Sequence, residues 1–250
     1  MVEHFTTETD HAEAVREQIA QVGDLERIVS RIATGRILPR ELVQLKNALT
    51  AVDTLKSLLQ STDAERLHEL AEGIDPLAEV RERIERDIYP DPSNQLQKGG
   101  VIAPGVDPEL DDLRRIALHG KEVLDTILRR ETERTGIPSL KISYNNVFGY
   151  YIEVRNTHKE KVPEEWIRKQ TLANAERYIT EELKEYEAKI LGAEEKMLLI
   201  EQRLYQQLIA DVARAIPALQ RDAPVVSRPD CLQSFARLAC ARPYTRPALT

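Results

Sequence analysis

Four polar residues between positions 145 and 174 have side chains suited to holding a phosphate backbone: Asn145, Arg168, Lys169 and Asn174. Amide N–H groups and cations donate hydrogen bonds to phosphate oxygens, and such contacts position a protein on a nucleic acid without reading its bases. Each residue also has an ordinary structural explanation. Asn145 could form a turn with Asn146, Asn174 could satisfy backbone groups at a strand end, and Arg168 and Lys169 could lie on a solvated helix face. The residue types alone leave both explanations open.

The sequence contains none of the motifs that would indicate catalysis. It has no GxxxxGK[ST] phosphate loop and no GxGxxG, HExxH or GxSxG, and its five histidines are scattered. Cys231 and Cys240 lie nine residues apart, a spacing that indicates neither a zinc site nor a disulfide framework. We therefore expect no catalytic residue, metal site or cofactor in this chain. We expect two buried, reduced thiols, as in a cytoplasmic protein.

The chain is acidic, but the stretch that contains the four polar residues is not. The formal net charge is −7 over 250 residues. Residues 137–180 contain seven lysines or arginines and five glutamates, so this stretch carries +2 and the remainder carries −9. Net acidity disfavours nucleic-acid binding in general, because phosphate contacts need cations. Any such contact is therefore expected at residues 137–180.

Long helices are expected on both sides of this stretch. Charged residues make up 31% and aromatic residues 5% of the chain, a composition typical of long amphipathic helices. Asp107-Pro108-Glu109 is typical of a helix start and predicts a helix over 108–135. Apolar residues from Ile179 to Leu204 recur with a period near 3.5, which predicts a second long helix over about 179–216 that packs antiparallel to the first.

The two ends of the chain are expected to be helical as well. Asp24 and Pro39 are typical helix starts, and shorter helices are expected around 62–72 and 76–89. The ending from Ser227 predicts a short helix and then a proline-rich tail that breaks off within a domain. No apolar run is long enough to cross a membrane, and the N-terminus does not have the character of a signal peptide.

Between the two long helices, residues 137–178 have the composition of a small sheet. LKISY and GYYIEVR alternate between apolar and polar residues and flank NNVF, so they predict a hairpin. TLANAERYIT predicts another strand, whereas VPEE predicts the start of a short helix that carries WIRKQ. Six of the twelve aromatic residues lie between Tyr144 and Tyr178. We expect them to give this small part a core of its own, because two paired helices would not supply one.

Several runs of sequence resemble the MutS family of DNA mismatch-recognition ATPases. The most specific are GGVIAPGVDPELDDLRRI, LKISYNNVFGYYIEV and RKQTLANAERYITEELKEYEAKIL. VGDLERIVSRIATGRILPRELVQLKNAL, upstream, and PDCLQSFARLA, downstream, are similar to the core helices of the same family. The resemblance covers nearly the whole chain.

The resemblance implies a mainly α fold with a small β-containing clamp domain. The lever domain would comprise residues 1–136 and 179–250, with two long antiparallel helices, and the clamp domain, residues 137–178, would be inserted at their far end. In the family, two clamps of a homodimer close over DNA, and the levers connect them to an ATPase domain that uses ATP and Mg²⁺. This chain contains neither the family's Phe-x-Glu mismatch-reading motif nor a Walker-type phosphate loop.

The resemblance also implies a role for each of the four polar residues. Asn145 and Asn174 fall where clamps of the family touch the backbone of double-stranded DNA, and Arg168 and Lys169 lie beside them in the motif. Many relatives have a lysine before the second asparagine, where this chain has Ala173. We therefore expect DNA-backbone contact with a small electrostatic component.

Two alternatives remain open at the level of sequence. The chain could be a coiled-coil interaction module whose tip binds a protein, which would suit its acidic helices. It could also come from a MutS paralogue that does not act in mismatch repair. Such paralogues commonly lack the clamp, so the clamp-like stretch argues against the second alternative.

Overall fold

The computed structural model describes residues 1–242 and residue 244, and it shows a mainly helical chain with one small antiparallel sheet. The residues form two compact units: Asp107–Glu201 is one, and Met1–Val106 with the chain from Gln202 onward is the other. The predicted fold class, mainly α with a small sheet inserted between two long helices, is confirmed. Over the residues that the structure describes, no helix is long and apolar enough to cross a membrane.

The helices are numbered in chain order. They are α1 (Val2–Thr7), α2 (Thr9–Val22), α3 (Leu25–Ala33), α4 (Pro39–Gln60), α5 (Glu65–Glu72), α6 (Ala78–Asp87), α7 (Pro108–Thr135), α8 (Glu181–Ala213) and α9 (Ile216–Ala241). Asp24 and Asp107 cap their helices as predicted. Asp24 Oδ1 accepts the N–H of Arg27 at 2.9 Å, and Asp107 Oδ1 accepts the N–H of Leu110 at 2.9 Å. Each carboxylate satisfies one of the N–H groups that a helix leaves unpaired at its start.

Helix α7 and the first part of α8 pack side by side and antiparallel within the unit Asp107–Glu201. Arg114 pairs with Glu201, Lys121 with Glu194, and Arg130 with Glu182. A Cβ added at Gly120 would lie 2.4 Å from Ile190 Cγ1. Only glycine therefore allows the two helices to approach this closely, and the predicted antiparallel pairing is confirmed.

Four strands lie between these helices in sequence: β1 (Lys141–Asn145), β2 (Gly149–Arg155), β3 (Ile167–Thr171) and β4 (Ala175–Ile179). The spatial order is β1-β2-β4-β3, and all neighbours are antiparallel. The predicted hairpin of LKISY and GYYIEVR is β1 and β2, and the predicted strand in TLANAERYIT is β4. All named strands in the described part of the chain fall within residues 141–179, where the sheet was expected.

The expectation of a short helix from Val162 through WIRKQ is wrong. The N–H of Trp166 donates to the carbonyl of Pro163 at 3.1 Å, which closes a turn, and the chain then enters β3. Trp166 is buried beside Tyr178, with ring centroids 6.0 Å apart. Pairing with β4 and burial of Trp166 therefore override the local helix signal, and the short 3-10 helix of this region lies earlier, at Asn156–Lys161.

The core of the sheet is shared with the helices, which corrects the expectation of a separate aromatic core. Buried residues of β2 and β4 pack in one cluster with Trp166 and with residues of α7 and α8. The members are Leu124, Ile127, Ile137, Leu140, Ile152, Val154, Trp166, Tyr178, Leu183 and Ile190. The paired helices α7 and α8 therefore supply part of the apolar surface on which the sheet packs.

Two further expectations about the C-terminal part are corrected. Helix α9 has 26 residues and includes Pro224 and Pro229 in its interior, so it is much longer than the short helix predicted from Ser227. Cys231 and Cys240 are free but exposed, whereas buried thiols were expected. The predicted proline-rich tail falls on residues 243 and 245–250, which lie outside the described residues.

Candidate nucleic-acid interface

Asn145 closes the turn between β1 and β2 with its own side chain. Its Oδ1 accepts the backbone N–H of Val147 at 2.9 Å and that of Phe148 at 2.8 Å. This is the turn chemistry that asparagine favours. The side-chain carbonyl is therefore fully used within the turn, and the carbonyl's two hydrogen bonds fix the orientation of the amide. The Nδ2 group, which can only donate, has no partner among the residues of the described structure.

The start of β2 is held against α8 by a carboxylate. Glu187 Oε2 accepts the backbone N–H of Tyr150 at 2.9 Å. Gly149, the strand partner of Asn145, has φ +76° and lies so close to Glu187 that an added Cβ would be 2.1 Å from its carboxylate oxygens. The left-handed φ favours glycine at position 149, and a larger residue there would also have to displace the Glu187 carboxylate. The Asn145 turn is thus fixed by a helix as well as by its own amide.

Asn174 lies in the turn between β3 and β4, and its side chain has a different environment. The N–H of Leu172 donates to the carbonyl of Ala175 at 2.8 Å, so Ala173 and Asn174 form the two-residue connection. The Asn174 side chain is exposed, and within the described residues neither its amide nitrogen nor its amide oxygen has a hydrogen-bond partner. It does not satisfy backbone groups at the strand end, so the structural explanation for this residue has no support in its contacts.

A third asparagine holds the backbone of that turn. The N–H of Asn156 donates to the carbonyl of Asn174 at 3.1 Å, and Asn156 Nδ2 donates to the carbonyl of Ala173 at 2.9 Å. Asn156 follows β2 directly, and Arg155 is the strand partner of Ala175. Both carbonyls of the two-residue connection are therefore satisfied by a single residue on the neighbouring strand's end.

Arg168 and Lys169 lie on β3, the edge strand, and differ in how their charges are matched. Arg168 Nη1 lies 3.3 Å from Glu176 Oε1, and Glu176 also accepts the hydroxyl of Tyr178. The hydroxyl of Tyr178 and the charge of Arg168 lower the pKa of Glu176, while burial and the Glu176 carboxylate raise the pKa of Tyr178 to about 12. The positive charge of Arg168 is therefore partly neutralised.

Lys169 has no such partner. The register of β3 against β4 shifts between Arg168 and Gln170, which makes Lys169 the extra residue of a β-bulge. Its side chain is exposed and makes no ion pair in the part of the chain that the structure describes. It is the better of the two cations for attracting an anion.

The structure brings three of the four predicted residues to one side of the sheet and places the fourth elsewhere. Arg168 and Lys169 lie on β3, the strand that leads into the Asn174 turn. Through β4, Arg168 is level with Ile152 in the middle of β2, whereas the Asn174 turn is at the C-terminal end of β2, where Arg155 pairs with Ala175. The Asn145 turn lies at the N-terminal end of β2. At about 3.3 Å per residue, the length of β2 separates the two turns by roughly 20 Å. One phosphate could not contact both amides.

The arrangement presents hydrogen-bond donors at its surface. Over the residues described by the structure, no group of three or more His, Cys, Asp or Glu side chains could hold a metal ion. Phosphate oxygens accept hydrogen bonds but do not donate them, so the Nδ2 groups of Asn145 and Asn174 are the relevant atoms of the two amides.

Comparison with known proteins finds a family model that covers the whole sheet. Residues 105–196, which include the whole sheet, match the family model described as MutS family domain IV. Over its whole length the chain is 54% identical to the DNA mismatch repair protein MutS of Bacteroides fragilis and 54% identical to that of Parabacteroides distasonis. The chain is therefore similar to MutS proteins over its whole length, and residues 105–196 match domain IV of that family. It spans 29% of the length of each of these relatives.

Sequence reasoning predicted the β1–β2 turn, but it placed Asn174 in a strand and missed the residues that hold the two turns, Asn156 and Glu187. The signal for Glu187 was its place on a long helix that follows the strands, which does not reveal a contact with Gly149. Asn156 stands directly after a predicted strand, where polar residues are common. Its role depends on the pairing of β2 with β4, and no local pattern predicts that pairing.

Proposed function

We propose that the sheet at residues 141–179 is a clamp that contacts the backbone of double-stranded DNA without reading its sequence. The observation that carries the proposal is the exposed amide of Asn174, which has no partner in the described structure. The unpaired cation Lys169 lies on β3, the strand that leads into the Asn174 turn. Uncharged donors with few cations suit contact with phosphates and carry no base specificity. Asn145 offers a second donor at the other turn, which would reach a different phosphate.

In this proposal the chain acts within a MutS-type mismatch repair protein. Residues 137–178 are the clamp domain, and residues 1–136 and 179–250 are the lever domain, whose two long helices relay between the clamp and an ATPase domain elsewhere in the protein. ATP and Mg²⁺ bind that other domain, and a homodimer brings two clamps to the DNA. Free thiols at Cys231 and Cys240 fit a reducing compartment, which we take to be the cytoplasm.

The test is a titration of fluorescently labelled duplex DNA with the parent chain and with Asn174→Glu at several salt concentrations. We expect weak, sequence-independent binding by the parent that disappears at moderate salt. We expect the affinity of Asn174→Glu for duplex DNA to be about one tenth of the parent's or lower, because the variant loses a donor to phosphate and adds a repelling charge. The melting temperature should not change, because the side chain is exposed. Equal binding by the two proteins would refute the proposed contact.

A second candidate function is protein binding at the β1–β2 turn. Val147 is 78% exposed and Tyr144 is 44% exposed, an unusual exposure for apolar residues on a small sheet. Val147→Ser and Tyr144→Ser distinguish the two functions. If the sheet binds DNA, both variants should retain duplex binding; if the turn binds a protein, both should lose capture of that protein while Asn174→Glu should retain it.

A further inference from the structure

The turn that presents Asn174 is held by a residue outside its own hairpin. The N–H of Leu172 and the carbonyl of Ala175 close the connection, but the carbonyls of Ala173 and Asn174 would point to solvent without Asn156. Asn156 donates to both, once from its backbone and once from its side chain. Its side chain is itself exposed, so it contributes no apolar burial that would explain it otherwise.

A two-residue connection has few hydrogen bonds of its own that could hold its backbone in one conformation. Each additional hydrogen bond to their backbone lowers the number of conformations the turn can adopt, and an ordered donor loses less entropy when it binds. The Asn174 amide has no hydrogen bond of its own in the described structure, so its direction depends on the backbone that carries it. The Nδ2 bond from Asn156 to Ala173 is the side-chain contact that fixes that backbone.

We infer that Asn156 is the positioning residue for Asn174: its amide fixes the Ala173–Asn174 connection so that the Asn174 side chain is directed at a DNA phosphate. Asn156 itself makes no contact with DNA. The inference rests on the proposed function, because it names the residue that prepares the same contact. The Asn145 turn needs no such residue, since its amide is fixed by its own hydrogen bonds to Val147 and Phe148.

The test is a double-mutant cycle on duplex binding with the parent chain, Asn156→Ala, Asn174→Ala and the double variant. Loss of one hydrogen bond that orders the donor should weaken binding by about three- to tenfold in Asn156→Ala. If Asn156 acts through Asn174, the same substitution should change binding by less than about twofold in the Asn174→Ala background. Asn47→Ala, at an exposed position of α4, is the control and should bind like the parent.

A second readout does not depend on DNA. The Leu172 amide closes the connection, so its hydrogen exchange should become faster in Asn156→Ala, while the buried Ile152 amide should exchange at the parent's rate. Should Asn156→Ala fail to fold, Asn156→Gln enters the same cycle, because it keeps an amide side chain at this exposed position and only displaces its donor nitrogen. A melting temperature equal to the parent's is expected for either variant.

The outcomes separate the inference from the proposed function. Additive losses would mean that Asn156 touches DNA itself, and unchanged binding by Asn156→Ala would mean that it positions nothing; either result overturns the inference while DNA binding by the sheet stands. An unchanged exchange rate at Leu172 also overturns it. If the parent binds no duplex, the proposed function fails and the inference fails with it.

Discussion

The two turns of the sheet carry the same residue type in opposite arrangements. At the β1–β2 turn the amide of Asn145 is bonded into the turn by its carbonyl, and Glu187 holds the next strand residues to α8. At the β3–β4 turn the amide of Asn174 is unbonded in the described structure, and a neighbouring residue holds the backbone instead. The presence of an asparagine in a turn therefore does not by itself indicate its role. The atoms left without partners decide what it can bind.

This difference predicts that substitutions at the β1–β2 turn lower the free energy of unfolding more than substitutions at the β3–β4 turn. Gly149→Ala places a Cβ 2.1 Å from the Glu187 carboxylate and forces an L residue to φ +76°. We expect the free energy of unfolding to fall by about 1–3 kcal/mol, measured by chemical denaturation. Gly136→Ala is the matched control, since Gly136 has φ +62° but no atom within 4 Å of an added Cβ. Equal losses in the two variants would show that strain at φ, and not contact with Glu187, accounts for the effect.

Two substitutions of Asn145 separate its structural oxygen from its donor nitrogen. Asn145→Asp keeps an acceptor for the N–H groups of Val147 and Phe148 but removes the donor. Asn145→Ala removes both. We expect Asn145→Ala to lower the free energy of unfolding by about 1 kcal/mol and Asn145→Asp to leave it nearly unchanged. Duplex binding should weaken in both variants, and more in Asn145→Asp because of its charge. Equal stability of Asn145→Ala and the parent would show that the turn does not need the amide.

The smallest expected effects concern Arg168 and Lys169, the two cations on β3. Lys169→Ala should make the fall of log affinity with log salt shallower by about 0.9, the amount expected for one neutralised phosphate, and should leave the free energy of unfolding unchanged. Arg168→Ala should instead lower the free energy of unfolding by about 0.2–1 kcal/mol, because Arg168 pairs with Glu176 near the surface. Identical salt slopes for the parent and Lys169→Ala would remove Lys169 from the interface.

Local signals in the sequence predicted the long helices α7 and α8 and the first hairpin. Asp107, Pro108 and the 3.5-residue repeat act within their own segment, so α7 and α8 could be recognised without knowledge of the fold. The same holds for Asn145, whose hydrogen bonds reach only two and three residues along the chain. Predictions of this kind need no information about distant residues.

The errors arose where distant residues decide the structure. The segment after Pro163 has a helix-start pattern, yet it forms β3, because Trp166 is buried beside Tyr178 and β4 offers an open edge. Asn156 was not predicted because its two acceptors lie seventeen and eighteen residues further along the chain. The separation of Asn145 from Asn174 follows from the strand order β1-β2-β4-β3, which the strand patterns alone did not specify.

The central claim is that the free amide of Asn174 donates to DNA. The most direct measurement is a titration of ¹⁵N-labelled chain with duplex DNA, followed through the side-chain NH₂ resonances of its asparagines. The account predicts that the Asn174 resonance shifts most, that Asn145 shifts with it as the complex saturates, and that the exposed Asn47 on α4 does not move. A complex that forms while the Asn174 side-chain resonance stays in place would contradict the account.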